Sequence, residues 1–346
     1  MPDAVSKNQS LIRDELVATR QGLADGRVKL LKQHRDGSPG IQVCARLTDL
    51  LDGLVGQVVE AALREFGSQA DAVRGSIALV AYGGYGRREM APFSDVDLML
   101  LHESGAAQPV SRLAQRLVKD FSDVGIDLGF SMRTVRQAIQ LSSRDAIIFS
   151  SLIDSRFLSG NAAIFEQFQQ KFARMARRRV QTLISMVEAS RREERTKYGE
   201  TVYLLEPNVK RSRGGLRDLQ MIRWIGFARY GQPDPKFLES SGVISSDDYS
   251  DIRKAQEFLL KLRNELHFHA NSACDVLGRA DQVRIAELWA YPGNEGLRPV
   301  EEFMQAYFSH TSSVRHVVGH VLEAARWRYP RLRRCLGALS NHRVDR

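Results

Sequence analysis

The stretch LVAYGGYGRREMAPFSDVDLMLLH, Leu79 to His102, decides how this chain is read. An apolar run ends in three closely spaced glycines, Gly83, Gly84 and Gly86, followed by Arg87 and Arg88. A second apolar run then opens with two aspartates one residue apart, Asp95 and Asp97. A plain hairpin accounts for the glycines and the apolar runs, but it leaves the acids unexplained. In a strand, residues i and i+2 point to the same face, so Asp95 and Asp97 project side by side while Val96 and Leu98 face the core. Carboxylates held that close repel, and one is partly protonated unless a cation lies between them. Mg²⁺ or Mn²⁺ supplies that charge, since both prefer oxygen ligands and share them with substrate phosphates. Glycines without Cβ let a triphosphate come close to backbone N–H groups at a turn, and Arg87 adds positive charge beside them.

Working outward, SIALVAY before the glycines reads as a buried strand and DVDLMLLH as a second, with a loop or short helix between them. VSRLAQRLVKDFSDVG reads as a helix, IDLGFSM as a third strand, residues 135–150 as another helix, and SLIDSRFLSG as a short fourth strand. Upstream, Leu47, Leu50, Leu51, Leu54, Val58, Val59 and Ala62 recur at helical spacing. Downstream, strand signals stop after Gly160, and residues 163–198 read as one long helix. YLLEPNVKRSRGGLRD then interrupts as a loop, and a helical pattern resumes from Leu219 to Arg334. The expected class is α+β. A small mixed sheet with helices spans 71–160, flanked by an N-terminal helical region (1–70) and a C-terminal helical domain (161–346).

The 346 residues carry 50 basic and 41 acidic side chains, a net charge of +9, which suits an anionic partner such as a nucleotide. Cys44, Cys274 and Cys335 are far apart, which argues against a disulfide framework and a structural zinc site. There is no apolar leader and no run of 18 apolar residues, so a cytoplasmic location is expected. The basic runs near 174–179 and 191–197 have no interleaved aromatic residues, so stacking on nucleic-acid bases is not indicated.

Gly83-Gly84 followed by Asp95-x-Asp97 resembles the signature of the DNA polymerase β-like nucleotidyltransferases. More closely, GGYGRREMAPFSDVDLMLL resembles the bacterial PII-protein uridylyltransferase (GlnD) family motif, G-G-Y-G-R-x-E-L-x-P-x-S-D-I-D-L-L. DVGIDLGFSMRT, LLEPNVKRSRGGLRDLQMIRWI and LLKLRNELHFHANSACDVLGRADQVRIAELWAY resemble later segments of that family, in its order, over roughly residues 75–325. The resemblance implies transfer of a nucleoside monophosphate, UMP from UTP, to a tyrosine hydroxyl of a PII-type signalling protein, with pyrophosphate leaving. It implies a third metal-binding carboxylate from a neighbouring strand, for which Asp127 is the candidate, although a solvent-facing strand residue would look the same. Asp95, Asp97 and Asp127 are then both the metal ligands and the catalytic acids. The expected nucleotide-binding set is Gly83, Gly84, Gly86, Arg87, Ser94, Lys210, Gly214, Gly215 and Arg217.

Two of these have structural alternatives. Ser94 could simply cap the turn into the strand, and RGGLRD could be a helix start with Asp218 in its first turn. Asn208 stands where the family has Asp, and Arg211 and Arg213 add positive charge, leaving another protein or an RNA as alternative acceptors. The sequence has no His-Asp dipeptide, so a piece without the family's HD hydrolase and ACT sensor domains is expected. A rival reading takes Arg263, Asn264 and His269, with R-N-x4-H spacing, as a HEPN-like ribonuclease or toxin–antitoxin motif; Arg263 and His267 at i and i+4 also suit one structural helix face.

Overall fold

The computed structural model describes residues 14–293 and 295–326. Cys335, and the helical pattern expected to continue to Arg334, fall outside the described residues. The chain opens with α1 (Asp14–Arg35), α2 (Gly40–Arg64) and the short α3 (Ala70–Gly75). The α/β part then runs β1 (Ile77–Ala81), α4 (Gly83–Arg87), β2 (Val96–His102), α5 (Ala107–Val124), β3 (Leu128–Thr134), α6 (Val135–Ser142), α7 (Ala146–Ile153) and β4 (Arg156–Gly160). Helices complete the chain: α8 (Ala162–Arg178), α9 (Val180–Tyr198), α10 (Leu216–Tyr230), α11 (Pro235–Ser240), α12 (Ser246–Ala270), α13 (Arg279–Leu288) and α14 (Pro299–Arg326).

The four strands form a mixed sheet in the order β3-β2-β1-β4. β1 is antiparallel to both β2 and β4, whereas β2 and β3 run parallel, with Val96 opposite Leu128 and Asp97 opposite Gly129. A parallel pair cannot be joined by a tight turn, and α5 provides the crossover. This is the α+β arrangement expected from the sequence.

Both faces of the sheet are buried, which is why its central strands read as continuous apolar runs rather than alternating ones. Ile77, Leu79, Leu98 and Leu100 pack with Leu16, Leu23 and Leu47 of α1 and α2 and with Leu117 and Phe121 of α5. Ala78, Val80, Met99 and Leu101 face the other way, toward Phe168 and Phe172 of α8, Leu183 of α9 and Ile222 of α10. The three stretches marked out from composition therefore share cores.

Two expected helices are each divided. The segment 135–150 becomes α6 and α7, each started by its own cap: Thr134 with Gln137 in a capping box, and Asp145 accepting from the N–H groups of Ile147 and Ile148. The segment 163–198 breaks at Arg179, whose backbone (φ −124°, ψ 24°) leaves the helical region. That turn returns Leu183, Ile184 and Val187 to the core already occupied by Phe168 and Phe172, which a straight helix would carry away. Periodicity does not register such a break, because the apolar spacing resumes after it.

A third core binds α2 to the C-terminal helices through Cys44, Leu259, Leu262, Leu266, Phe303 and Tyr307. At its edge the α2 N-terminus meets α12, where the N–H groups of Gly40 and Ile41 donate to the Glu257 carboxylate, the latter at 3.0 Å. A carboxylate there offsets the unpaired amides and the positive end of the helix. The approach requires glycine, since a Cβ on Gly40 would lie 2.4 Å from the Lys261 backbone N and 2.7 Å from its Cα. Among the described residues no helix is long and apolar enough to cross a membrane. Gly40→Ala is expected to lower unfolding stability by about 1–3 kcal/mol, the usual cost of overpacking; an unchanged urea midpoint would show that the two helices part without loss.

Candidate active site

Asp95 and Asp97 lie at the start of β2, beside the turn that leads into α4. That turn is fixed from both sides. Tyr85 is fully buried and donates its hydroxyl to Asp52 of α2 (2.6 Å), which also accepts from Arg156 of β4 at 2.7 and 2.9 Å. Tyr82 N donates to the Asp97 carbonyl (3.1 Å), and Gly83 follows with φ +58°. The Asp97 carboxylate sits between two glycines. A Cβ on Gly83 would lie 2.6 Å from Oδ2, and one on Gly129 of β3 would lie 2.4 Å from Oδ1. Any side chain at either position would push the carboxylate out of place.

The Asp97 carboxyl is raised to about 6, first by burial and then by the like charge of Asp95; Lys210, Arg87 and Arg217 act on it without offsetting either. Among the described residues no cation forms an ion pair with either carboxylate, and this pair of oxygen donors fits a hard divalent ion.

The carboxylates open into a cavity of about 510 Å³, within the ~300–1,000 Å³ of small-molecule sites. Its lining from the helical part is cationic, with Lys210, Arg211 and Arg217 following one another from the 199–215 loop into α10, and Arg263 coming from α12. Burial and the neighbouring Arg263 lower the Lys210 ammonium to about 8, and burial lowers Arg217 to about 10. Cations crowded in this way gain most from a multiply charged anion. Asn208 sets the loop by accepting from the backbone N–H groups of Lys210 (3.1 Å) and Arg211 (2.7 Å), a role that Asp performs equally well.

Asp275 anchors this wall. It accepts from Arg263 Nε (2.7 Å) and His267 Nε2 (3.1 Å), and Lys210 Nζ lies 4.0 Å away. Burial alone would raise its carboxyl, but the His267 hydrogen bond and the charges of Arg263 and Lys210 hold it far below the usual carboxylate range. His267 Nδ1 accepts from Phe93 N (3.3 Å), so its proton is on Nε2, toward Asp275. Arg263 Nη2 also donates to Ser94 Oγ (3.2 Å), which accepts from Ala91 N (3.2 Å), so Ser94 both caps its turn and holds a cation of the wall.

Of the residues singled out from the sequence, the cavity brings together Gly83, Gly84, Arg87, Ser94, Asp95, Asp97, Lys210 and Arg217. Arg87 is buried and paired with Glu89 (2.9 Å) and Asp154 (3.1 Å), while Arg88 turns away to Asp49. Gly86, Gly214 and Gly215 do not border the cavity. Their missing Cβ atoms make room for backbone, at 2.0 Å from the Asp154 carbonyl, 2.2 Å from that of Thr311 and 2.5 Å from that of Val209. Within RGGLRD, Gly214, Gly215 and Asp218 make a structural junction while Arg217 lines the cavity. Asp218 is buried and accepts from Gly214 N (2.7 Å), Arg191 (2.7 Å) and Arg195 (3.0 Å).

Asp127 directly precedes β3, and the ladder register sets it beside Asp95, with its carbonyl accepting from Val96 N (2.8 Å). Its side chain is exposed and borders a smaller cavity with Arg27; Ser94 lines both cavities. The residues of the R-N-x4-H spacing disperse: Arg263 joins Asp275, Asn264 is buried against Gly40 and Cys44, and His269 is exposed.

The sequence reading missed Asp275, Gly129, Arg133, Gln220 and Trp224, all of which border the cavity or shape Asp97. Asp275 lies in HANSACD, just past the Arg/His helix, where no periodicity marks it.

The raised Asp97 carboxyl has a definite sign. Between about pH 4 and pH 6 the folded chain holds a proton that the unfolded chain has released, so this group's contribution falls as pH rises through that window. In metal-free buffer Asp97→Asn is therefore expected to melt higher than wild type at pH 8, by about 1–3 kcal/mol after allowance for partial exposure, and to lose that advantage below about pH 4. Identical melting at pH 8 would mean that the carboxylate is not strained there.

Known proteins resemble this chain over most of its length. The sequence profile of GlnD PII-uridylyltransferase matches residues 181–322, and that of the nucleotidyltransferase family DUF294 matches residues 28–137. The bifunctional uridylyltransferase/uridylyl-removing enzyme of Ectopseudomonas mendocina is 33% identical over 263 residues, which is 76% of this chain and 29% of that protein. The enzymes of the same name from Cereibacter sphaeroides and Burkholderia orbicola are 34% identical over 269 residues (77% of this chain, 29% of theirs) and 35% identical over 233 residues (67% and 27%). The chain spans less than a third of the length of these relatives. The two profiles span the segments that carry the acid pair and the cationic residues of the cavity, and the chain belongs to the GlnD uridylyltransferase family.

Proposed function

We propose that this cavity transfers a nucleoside monophosphate from a nucleoside triphosphate to a hydroxyl. The observation that carries the proposal is that Asp95 and Asp97 line one cavity together with Lys210, Arg217 and Arg263. Asp95 and Asp97 hold Mg²⁺ or Mn²⁺, which when bound neutralises phosphate charge and lowers the pKa of the attacking hydroxyl. Lys210, Arg217 and Arg263 take the triphosphate, and their charge favours departure of pyrophosphate as the hydroxyl oxygen bonds to the α-phosphorus. Gly83 and Gly129 keep the Asp97 oxygens in place. Asp127 is proposed as the third carboxylate; it adjoins Asp95 in register, and the role requires its side chain to leave the cavity of Arg27.

Uridylyl as the transferred group is supported by the names of the relatives, and a PII-type protein as acceptor by the profile that matches residues 181–322; UTP as donor and a tyrosine hydroxyl as acceptor group follow from the motif resemblance. The substitution of Asn208 for Asp does not disturb this reading, because its carbonyl oxygen makes the turn that presents Lys210. A cytoplasmic location accords with these substrates.

With labelled UTP, Mg²⁺ or Mn²⁺ and a PII protein, the chain should label the acceptor. Asp95→Asn/Asp97→Asn should reduce the rate by about 10²–10³-fold or more, as losing one preorganised electrostatic group does elsewhere. Lys210→Gln should raise KM for the nucleotide, and Asp127→Asn should lower kcat if that carboxylate turns inward. Undiminished labelling by the double aspartate variant would refute the assignment, and preference for labelled ATP in a parallel reaction would reassign the donor.

A further inference from the structure

Away from the cavity, α12 and α14 lie against each other, and Ile252, Ala255, Val314, Val317, Val318 and Val321 share one core. Asp248 stands one turn before Ile252 on α12. His316 and His320 stand one turn apart on α14, beside Val317 and Val318. Positions i and i+4 share a helix face, and here that face reaches Asp248. One ligating atom from each of the three side chains lies within 4.8 Å of the other two. His320 Nδ1 is 3.9 Å from Asp248 Oδ2, and the two imidazole centroids are 4.1 Å apart with the rings at 64°. Asp248 is half-buried and both histidines are exposed.

We propose that Asp248, His316 and His320 form a site for a borderline divalent transition-metal ion, zinc foremost, with solvent completing the coordination. The donor set gives the reason. Two imidazole nitrogens and one carboxylate oxygen suit zinc and its neighbours, whereas Mg²⁺ and Ca²⁺ take oxygen alone. The backbones that carry the donors are set by the shared apolar core, so the three atoms close on an ion through rotation of side chains, two of them free in solvent. Asp248 is also held in place, because its N–H donates to Ser245 Oγ (3.0 Å) and its Oδ2 accepts from Ser245 N (3.3 Å). A carboxylate offers about four acceptor positions, so this cap leaves it able to ligate.

The site is distinct from the acid pair. Asp248 and Arg263 are fifteen residues apart on α12, about 22 Å along a helix. An ion here ties the helix that carries Arg263 and His267 to the helix whose Thr311 packs over Gly214. Its role is therefore to fix two helices, independent of nucleotidyl transfer.

The test uses the full chain, stripped with chelator and titrated with zinc chloride in excess Mg²⁺, followed by calorimetry and thermal melting. Wild type should bind zinc and melt higher for it. His316→Ala/His320→Ala should weaken binding by more than about 100-fold, beyond the ~10–100-fold loss typical of outer-sphere partners, and should abolish the melting shift. Its metal-free melting should match wild type, since both rings are exposed. Asp95→Asn/Asp97→Asn should keep both zinc responses. No zinc binding by wild type, or a zinc response retained in the histidine variant, would reduce the cluster to an ordinary surface contact and overturn the proposal.

Discussion

The burial of the Asp97 carboxylate beside Asp95 is the constraint on which the rest of the site depends. A carboxylate enclosed by Gly83 and Gly129, beside another carboxylate, costs stability in the absence of a counter-charge. The fold bears this cost at the end of a sheet buried on both faces, where the strand ends cannot drift apart. Among the described residues the cations of the same cavity form no ion pair with either acid, so both acids remain available to a ligand and the cations to phosphate. Neutralising the pair within the protein would remove the strain and the site together.

Much of this arrangement was legible in the sequence, for physical reasons. The i, i+2 spacing of Asp95 and Asp97 after an apolar run has few interpretations, because strand geometry fixes which face each side chain takes. The apolar runs Ile77–Ala81 and 98–101 indicate strands, and the structure buries both faces of them. Glycines were harder to interpret. Gly83 and Gly84 do border the cavity, but Gly86, Gly214 and Gly215 are glycines because backbone passes within 2.0–2.5 Å of where a Cβ would be. A sequence shows that a side chain is missing, not whether a ligand or a neighbouring carbonyl fills the space. Gly129 is the converse case, one glycine within a strand whose importance depends entirely on the register that sets it opposite Asp97.

The cationic wall shows a second limit. Lys210 and Arg217 were identified from their local context, yet Asp275, which organises Arg263, His267 and Lys210, was not. Its function depends on an isolated pairing between Asn208 and Val276, with Val209 N donating to the Asp275 carbonyl at 2.8 Å. Contacts of this kind join segments more than sixty residues apart and leave no periodic trace. The family resemblance carried the correct blocks in the correct order, but it could not show that the polar residues of the Arg/His helix serve as struts for the wall.

The third core also bears on how this chemistry can be inherited. Cys44 of α2, Val209 of the loop, Leu262 of α12 and Tyr307 of α14 pack together, so the acids and the cations that face them belong to one cooperative body. The compact α/β segment that bears the aspartates is not a portable cartridge, because without its distant helices it would lose Lys210, Arg217 and Arg263 from the cavity that the two carboxylates line. Fusion, duplication or loss of neighbouring domains can therefore act only outside this body. That constraint makes the whole assembly, rather than its sheet, the unit that evolution or engineering can move.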